Sequence, residues 1–324
     1  MAGFVKKQIT EMKPGDKIDS IFSVHYKKSI SEYKYGSMFE FRAADRSGQI
    51  NVKFWGGEDP AEVLKIFETV GRDVIVQVRG TVGEYKGSME LAVNPSEGGM
   101  VKALGEGEYD IRELIATIDN IPELMDRLMK AVYSVKDPHY SNLLGKLFED
   151  RKFSDDFSKC PASIMLHSAQ IGGLVYHTLN VLDHCLVAWE HYREMDRDLL
   201  TAGAILHDIG KVRSFRVTTN INQTEEGILL GHLVIGMEMV RSKISEIPDF
   251  PADKQNKLLH IILSHHGRKE WGSPVEPATP EAQTVHLADD FDAKLSYITM
   301  RREEATTDDN FIWDQRFKRH IYLG

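Results

Sequence analysis

Cysteine is scarce in this 324-residue chain, with Cys160 and Cys185 the only two. That excludes a disulfide scaffold and a CxxC zinc site, and leaves each as a small buried apolar residue. Long apolar runs are missing as well. No stretch approaches the roughly 18 uninterrupted apolar residues of a membrane-spanning helix. Met1-Ala2-Gly3-Phe4-Val5-Lys6-Lys7 lacks the apolar core of a secretory signal, so a cytoplasmic protein is expected. Positive charge is in short supply: the net charge is −9, which excludes a protein that coats nucleic acid by bulk electrostatics. There is no low-complexity segment and no internal repeat. With 42% apolar and 27% charged residues, the composition is that of an ordinary globular protein, and the length suits about two domains.

The charge is unevenly spread. Residues 1–105 hold 15 Lys and Arg against 14 Asp and Glu, a net of +1, so the rest carries −10. A polyanionic substrate must therefore be held locally, by a groove or by metal ions.

Residues 16–93 read as short strands. Ile18, Ile21, Phe22, Val24 and Tyr26 precede a Lys/Ser-rich turn. Met38, Phe39 and Phe41 lead to the turn Asp45-Arg46-Ser47-Gly48, and Ile50, Val52 and Phe54 then alternate at period 2. Between 58 and 70 the period becomes helical, with Gly71 as a stop. Val74, Val76 and Val78 alternate again, and a turn at 83–87 precedes Met89, Leu91 and Val93. Three strands, one helix and two strands is the order of an OB-fold, with another small β-barrel as runner-up. Such barrels bind single-stranded nucleic acid through aromatic stacking and a few cations. The candidates here are Tyr33, Tyr35, Lys53, Trp55 and Tyr85, with Tyr26, Lys27, Lys28, Phe39 and Phe41 in reserve. Some of these aromatics must instead be barrel core.

Residues 95–108 hold Pro95 and glycines 98, 99, 105 and 107 and read as a linker. From 109 the spacing turns helical. Ile111, Leu114, Ile115 and Ile118 make one stripe, and Leu124, Leu128, Val132 and Val135 another. Further helices are expected over 172–193, 198–208, 231–246 and 253–266. The expected fold class is multidomain α+β: an N-terminal OB-fold β-barrel (1–94), a linker (95–108) and an all-α domain (109–324).

Ten of the 13 histidines lie between 160 and 290. His177, His184 and His191 sit seven apart, about 10.5 Å along a helix, so no two of them can share an ion. The segment Leu199–Lys211 is more specific: an apolar helix ends in His207-Asp208, with Gly210 to break it and Lys211 one turn beyond Asp208. A buried Asp is costly unless paired or bound to metal. His232 after Gly231, His265-His266 before Gly267, and Asp289-Asp290 complete an ordered set. Imidazole nitrogen with carboxylate oxygen suits Mn, Fe, Ni, Co or Zn better than Mg or Ca.

This order resembles the HD-domain metallophosphohydrolases over about residues 160–295, and their binuclear branch in particular. The resemblance implies an all-helical fold in which His177, His207, Asp208 and Asp289 hold one metal. Asp208 would bridge to a second, held by His232, His265 and His266. Asp290 is an alternative to Asp289, although Asp289-Asp290-Phe291-Asp292-Ala293 matches the family's Asp-x-x-Asp-Ala run better. Three segments are similar to the narrower YhaM family: Ile171-Gly172-Gly173-Leu174-Val175-Tyr176-His177-Thr178-Leu179, Leu229-Leu230-Gly231-His232, and Ile262-Leu263-Ser264-His265-His266-Gly267. So is Gly272-Ser273-Pro274. The chain departs from that family at His167-Ser168, where members often carry two histidines, and at Tyr176, where many have Glu. The resemblance implies an OB-fold joined to an HD domain, acting as a 3′→5′ exoribonuclease.

The implied chemistry is hydrolysis of single-stranded RNA, with DNA as a second candidate, by a binuclear metal-activated hydroxide, with Mn first among the metals. Asp208 anchors it. Lys211 would contact a nonbridging phosphate oxygen, with a solvated helix-end lysine as the plain alternative. His167 would contact phosphate or leaving group, or serve as a structural hydrogen-bonding residue. Arg268 and Trp271 follow the His-His pair and would pair with phosphate and stack on a base, or lie in a loop without a role. The basic aromatic tail 316–322 would pass RNA or pack between subunits of a homo-oligomer. Three competing readings stay open. A cyclic-dinucleotide phosphodiesterase shares the His-Asp-x-Gly-Lys and His-His motifs, but this chain lacks the Gly-Tyr-Pro signature. A phosphohydrolase of free nucleotides does not account for the barrel. A non-catalytic OB-type binder does not account for the complete donor set.

Overall fold

The computed structural model describes residues 3–57, 59–163, 170–303, 305, 307 and 309–324, so His167 lies outside the described residues. The chain forms two compact units, one of strands through Ala116 together with Thr218–Asn220, and one mainly of helices from Thr117–Val217 and Ile221–Gly324.

In the first unit, period-2 alternation places side chains on opposite faces of each strand. In β1 (Lys17–Lys27), Ile18, Phe22 and Val24 point inward and are fully buried. β2 (Ser31–Tyr33) folds back on β3 (Gly36–Asp45), which turns into β4 (Gly48–Trp55). That turn is fixed by Asp45, whose Oδ1 accepts from the N–H groups of Ser47 (2.7 Å) and Gly48 (3.1 Å). The β3–β4 register sets Phe39 opposite Phe54 and Phe41 opposite Val52. All four are buried, so Phe39 and Phe41 are barrel core and offer no stacking platform. Helix α1 (Pro60–Thr69) starts where Asp59 accepts from the Ala61 N–H and Pro60 takes the first helical position. β5 (Ile75–Tyr85) and β6 (Ser88–Val93) complete a ladder running β1-β3-β4-β6-β5 and back to β1, with β4 and β6 parallel.

The stretch expected as a linker is not free of structure. β7 (Met100–Ala103) lies inside it and pairs antiparallel with β5, Val78 opposite Val101. Part of β5 is left without a β6 partner there, and its backbone groups need partners when buried. The stripe 111–118 makes only one 3₁₀ turn, Ile111–Glu113, with Leu114 and Ile115 buried behind it.

In the second unit, α2 (Ile121–Ser134), α3 (Pro138–Phe148) and α4 (Arg151–Lys159) lead to α5 (Gly173–His191). Then follow α6 (Arg197–Leu206), α7 (Lys211–Ser214), α8 (Glu225–Ser245), α9 (Ala252–Ser264) and α10 (Pro280–Glu303). Helix α6 is the centre. Every residue from Leu199 to Leu206 is buried, and α3, α5, α9 and α10 pack around it. A helix apolar on all sides belongs in a core. The expected all-α half also carries two short hairpins: β8 (Phe215–Val217) with β9 (Ile221–Gln223), and β10 (Phe311–Asp314) with β11 (Arg319–Tyr322). Strands of three or four residues are too short to show a period. Among the described residues no helix is long and apolar enough to cross a membrane.

Candidate metal centre

Five elements deliver seven donors to one place in the helical unit. His177 lies on the buried face of α5, and His207 and Asp208 follow the end of α6. His232 opens the second half of α8, His265 and His266 follow α9, and Asp289 comes from α10. Local backbone explains two of these placements. Gly231 interrupts α8 with φ 74° and ψ 153°, a region essentially closed to residues with a Cβ, so the helix restarts at His232 with a new direction. Gly267 has φ 82°, and a Cβ there would stand 2.1 Å from the His286 ring. His286 Nδ1 in turn donates to the His265 carbonyl at 2.8 Å.

The donors fall into two groups, His177–His207–Asp208–Asp289 and His232–His265–His266, with the donor atoms of each group within 4.8 Å of one another. Asp208 faces both. Its Oδ2 lies 3.5 Å from His177 Nε2 and 3.3 Å from His207 Nε2, and its Oδ1 lies 3.4 Å from His232 Nε2 and 3.5 Å from His265 Nε2. His177 Nε2 is also 3.1 Å from Asp289 Oδ1. Asp290 is in neither donor group; it lines the same cavity and pairs with Lys294 at 2.5 Å.

The far side of each ring sets its proton. A carbonyl can only accept, so the Nδ1 atoms of His207, His265 and His266 are the donors to Ala204 (2.8 Å), Ile262 (2.9 Å) and Trp271 (2.9 Å). His177 Nδ1 faces Asp292 Oδ2 at 2.6 Å, and Asn180 donates to the other Asp292 oxygen at 2.9 Å. With Nδ1 committed, Nε2 is the atom turned inward, the arrangement in which a histidine binds metal. Two pairs of Nε2 atoms approach closely: His177–His207 at 3.3 Å and His232–His266 at 3.2 Å. In the first pair, where both Nδ1 atoms have acceptors, neutral rings would oppose their lone pairs, an arrangement a cation between them resolves. Asp208 Oδ1 is fully buried and accepts no hydrogen bond. A buried carboxylate oxygen so placed is costly in protein alone and suited to a cation. The nitrogen-and-oxygen donor set thus fits a divalent metal site.

The electrostatics agree. Burial opposes the charge on Asp208, but the Lys211 ammonium and the His207 and His177 imidazoles outweigh it, holding the carboxyl well below its usual range. Burial also works against Asp289, yet His177 and its neighbours keep it low. Burial pushes His232 well below the ordinary imidazole value. It takes His266, with help from His265, to about 4. His177 stands apart: burial disfavours its cation, but Asp208, Asp289 and Asp292 raise it well above that value. Lys211 Nζ is 2.5 Å from Asp208 Oδ2. His184 and His191 are exposed, and Cys160 and Cys185 are buried thiols whose ionisation burial suppresses.

A cavity of about 550 Å³ opens over these donors, lined also by Lys211, Trp271, Lys294, Tyr297, Arg316 and Phe317. Trp271 is half exposed, with the Arg268 guanidinium 5.0 Å from its ring centre. On the barrel, Tyr33, Tyr35 and Trp55 form a separate aromatic pocket. The Tyr33 ring lies edge-on to Trp55 at 5.0 Å, and its hydroxyl donates to the Gly56 carbonyl at 2.8 Å. Tyr85 is exposed, but Lys53 is only 15% exposed and its charge is met by Glu90 at 2.6 Å. Sequence reasoning gave no role to Asp292, Asn180 or His286. The signal for the first two was their spacing, each three residues beyond a donor on the same helix face.

Comparison with known proteins follows the same division. The model for an OB-fold nucleic acid binding domain matches residues 24–95, and that for the HD domain matches residues 174–294. A curated 3′-5′ exoribonuclease YhaM from Bacillus licheniformis is 34% identical over 257 residues, 78% of this chain and 77% of that protein. YhaM of Bacillus velezensis is 34% identical over 254 residues, 78% of this chain and 76% of its own. YhaM of Bacillus subtilis strain 168 matches at 34% over 78% of this chain and 77% of its own. With an OB-fold ahead of an HD domain and a complete set of seven buried or half-buried donors, the chain belongs to the YhaM family of 3′-5′ exoribonucleases.

Proposed function

We infer that this protein removes nucleotides one at a time from the 3′ end of single-stranded RNA by metal-dependent hydrolysis. The observation that carries this reading is Asp208, a buried carboxylate with one oxygen turned to each of two donor groups. His177, His207, Asp208 and Asp289 would hold one divalent ion, and His232, His265 and His266, with Asp208 shared, a second. Ions so held lower the pKa of water, orient it and neutralise phosphate charge. Manganese fits the mixed nitrogen and oxygen donors, as do iron, cobalt, nickel and zinc.

The chain's own groups supply the rest. Asp292 and Asn180 hold the His177 ring so that Nε2 faces Asp208 and Asp289, where the ion would sit. Lys211 is three residues beyond Asp208 with its ammonium already in the site, and would donate to a nonbridging phosphate oxygen as charge builds there. His167 would contact the phosphate or the leaving group. Water adds to phosphorus and the bond to the upstream 3′ oxygen breaks, giving a nucleoside 5′-monophosphate and a shortened RNA with a free 3′ hydroxyl. Tyr33, Tyr35, Trp55 and Tyr85 would stack on single-stranded bases without sequence preference. RNA as substrate also favours a cytoplasmic address.

The test uses RNA and DNA single strands of one sequence, labelled at the 5′ end and incubated with Mn²⁺, with and without EDTA. The expected result is a ladder that shortens from the 3′ end, needs metal, and is absent for Asp208→Ala. RNA left intact with every divalent metal, while the barrel still binds it, would move the chemistry to small nucleotides or leave a binding role.

A further inference from the structure

The basic, aromatic C-terminal segment is left open by the sequence, and the fold gives it a definite position. The β10–β11 hairpin turns at 315–318 beside α10, held by Asp314, which is 2% exposed. Asp314 Oδ2 accepts from the Tyr297 hydroxyl at 2.8 Å and lies 3.4 Å from Arg301 Nε, while Oδ1 accepts from the Phe317 N–H at 2.8 Å. This anchor sets Phe317 edge-on to Tyr297, ring centres 5.1 Å apart, and puts the Arg316 guanidinium 5.1 Å from the Tyr297 ring. Both Arg316 and Phe317 line the cavity that holds Asp208 and Asp289. Along α10 the cavity wall runs Asp289, Ala293, Tyr297, one face of the helix over about 12 Å. Arg316 has no carboxylate within ion-pair distance among the described residues, so its charge is available to a ligand.

We propose that this outer wall is the subsite for the 3′-terminal nucleotide, with Phe317 stacking on its base and Arg316 meeting its sugar–phosphate edge. The proposal rests on the exonuclease reading above. Three features favour a nucleotide. The wall is aromatic and half-buried, as stacking requires. A guanidinium with no carboxylate partner among the described residues stands beside it. The volume of about 550 Å³ falls within the range that encloses a single small-molecule ligand, so one nucleotide beyond the scissile bond is the natural occupant. Every base offers a π face, so a stacking wall accepts all four, as a processing enzyme needs.

The experiment compares three RNAs with the full-length protein: an unmodified strand, one with an abasic ribose at the 3′ terminus, and one with the abasic ribose at the next position in. The readout is kcat/KM for release of the terminal nucleotide. The native protein is expected to prefer the unmodified terminus over the abasic one by about fivefold to a hundredfold, the range of one base–aromatic stack. Phe317→Ala should bring that ratio close to one. Phe317→Leu, which keeps apolar packing against Tyr297 but has no π face, should lower it too. Arg316→Ala should raise KM for the unmodified strand more than it lowers kcat. A native ratio near one overturns the proposal while leaving the exonuclease reading intact. So does a ratio unchanged in both Phe317 variants, or a preference that follows the penultimate base instead. If the native protein cleaves none of the strands, the exonuclease reading itself falls and the subsite falls with it.

Discussion

At the scale of single residues, the centre depends on groups that touch no substrate. Asp292 is buried and bonds His177 Nδ1, so its part is to aim Nε2. Asp292→Asn is expected to weaken metal affinity about 10- to 100-fold, the usual loss when the partner of a metal-binding histidine is changed. Calorimetric titration with Mn²⁺ measures this directly, and added metal should restore much of the activity. An affinity equal to the native value would show that His177 needs no such support. Asp208→Ala differs in kind, since it removes a group shared by both donor clusters, and no concentration of metal should restore activity.

At the scale of elements, two backbone devices carry testable energies. Gly231 holds φ 74° and ψ 153° where α8 restarts. Gly231→Ala should cost about 1–3 kcal/mol of strain, or move His232 off its partners if the helix relaxes. Thermal melting with and without Mn²⁺ separates these outcomes: strain lowers both midpoints equally, whereas displacement of His232 removes the metal-dependent part. The start of α3 gives a pH-dependent case. Asp137 accepts from the N–H groups of His139 and Tyr140 and pairs with Lys254. Burial opposes its charge, but Lys254 and the two N–H groups outweigh it, so its folded pKa lies below the ordinary carboxylate value. A depressed pKa contributes stability above the unfolded value, and that contribution is lost as the pH falls through the folded one. Asp137→Ala should therefore cost about 1 kcal/mol near neutrality. The gap between the native and variant melting points should close as acid protonates the native carboxyl.

At the scale of the whole molecule, a net charge of −9 limits how much RNA affinity bulk electrostatics can supply. Binding of long RNA should therefore depend on stacking and on few phosphate contacts. On a log–log plot of affinity against salt, each phosphate contact contributes a slope of about −0.7 for a single strand. A slope equivalent to only a few contacts is expected, while substituting Tyr35 or Trp55 by Ala should weaken binding by about 1–3 kcal/mol per base unstacked. A steep salt dependence with no effect of these aromatics would reverse that balance.

The sequence by itself determined much of this. Alternation at period 2 gave β1, β3, β4, β5 and β6, and helical spacing gave the course of α5, α6 and α9, because a strand and a helix each write their period into the order of apolar residues. The ordered set of His and Asp residues was legible because a metal demands particular donor types, and those types are rare in an apolar helix. Pairing was not legible. β7 lay in a Gly-rich stretch and the two late hairpins are too short to show a period, so only the backbone hydrogen bonds of a neighbouring strand could decide them. Nor could the sequence choose Phe54 over Trp55, Asp289 over Asp290, or say where Phe317 goes. Those are matters of which face turns inward and which distant segments meet, and they are fixed by packing between elements far apart in the chain.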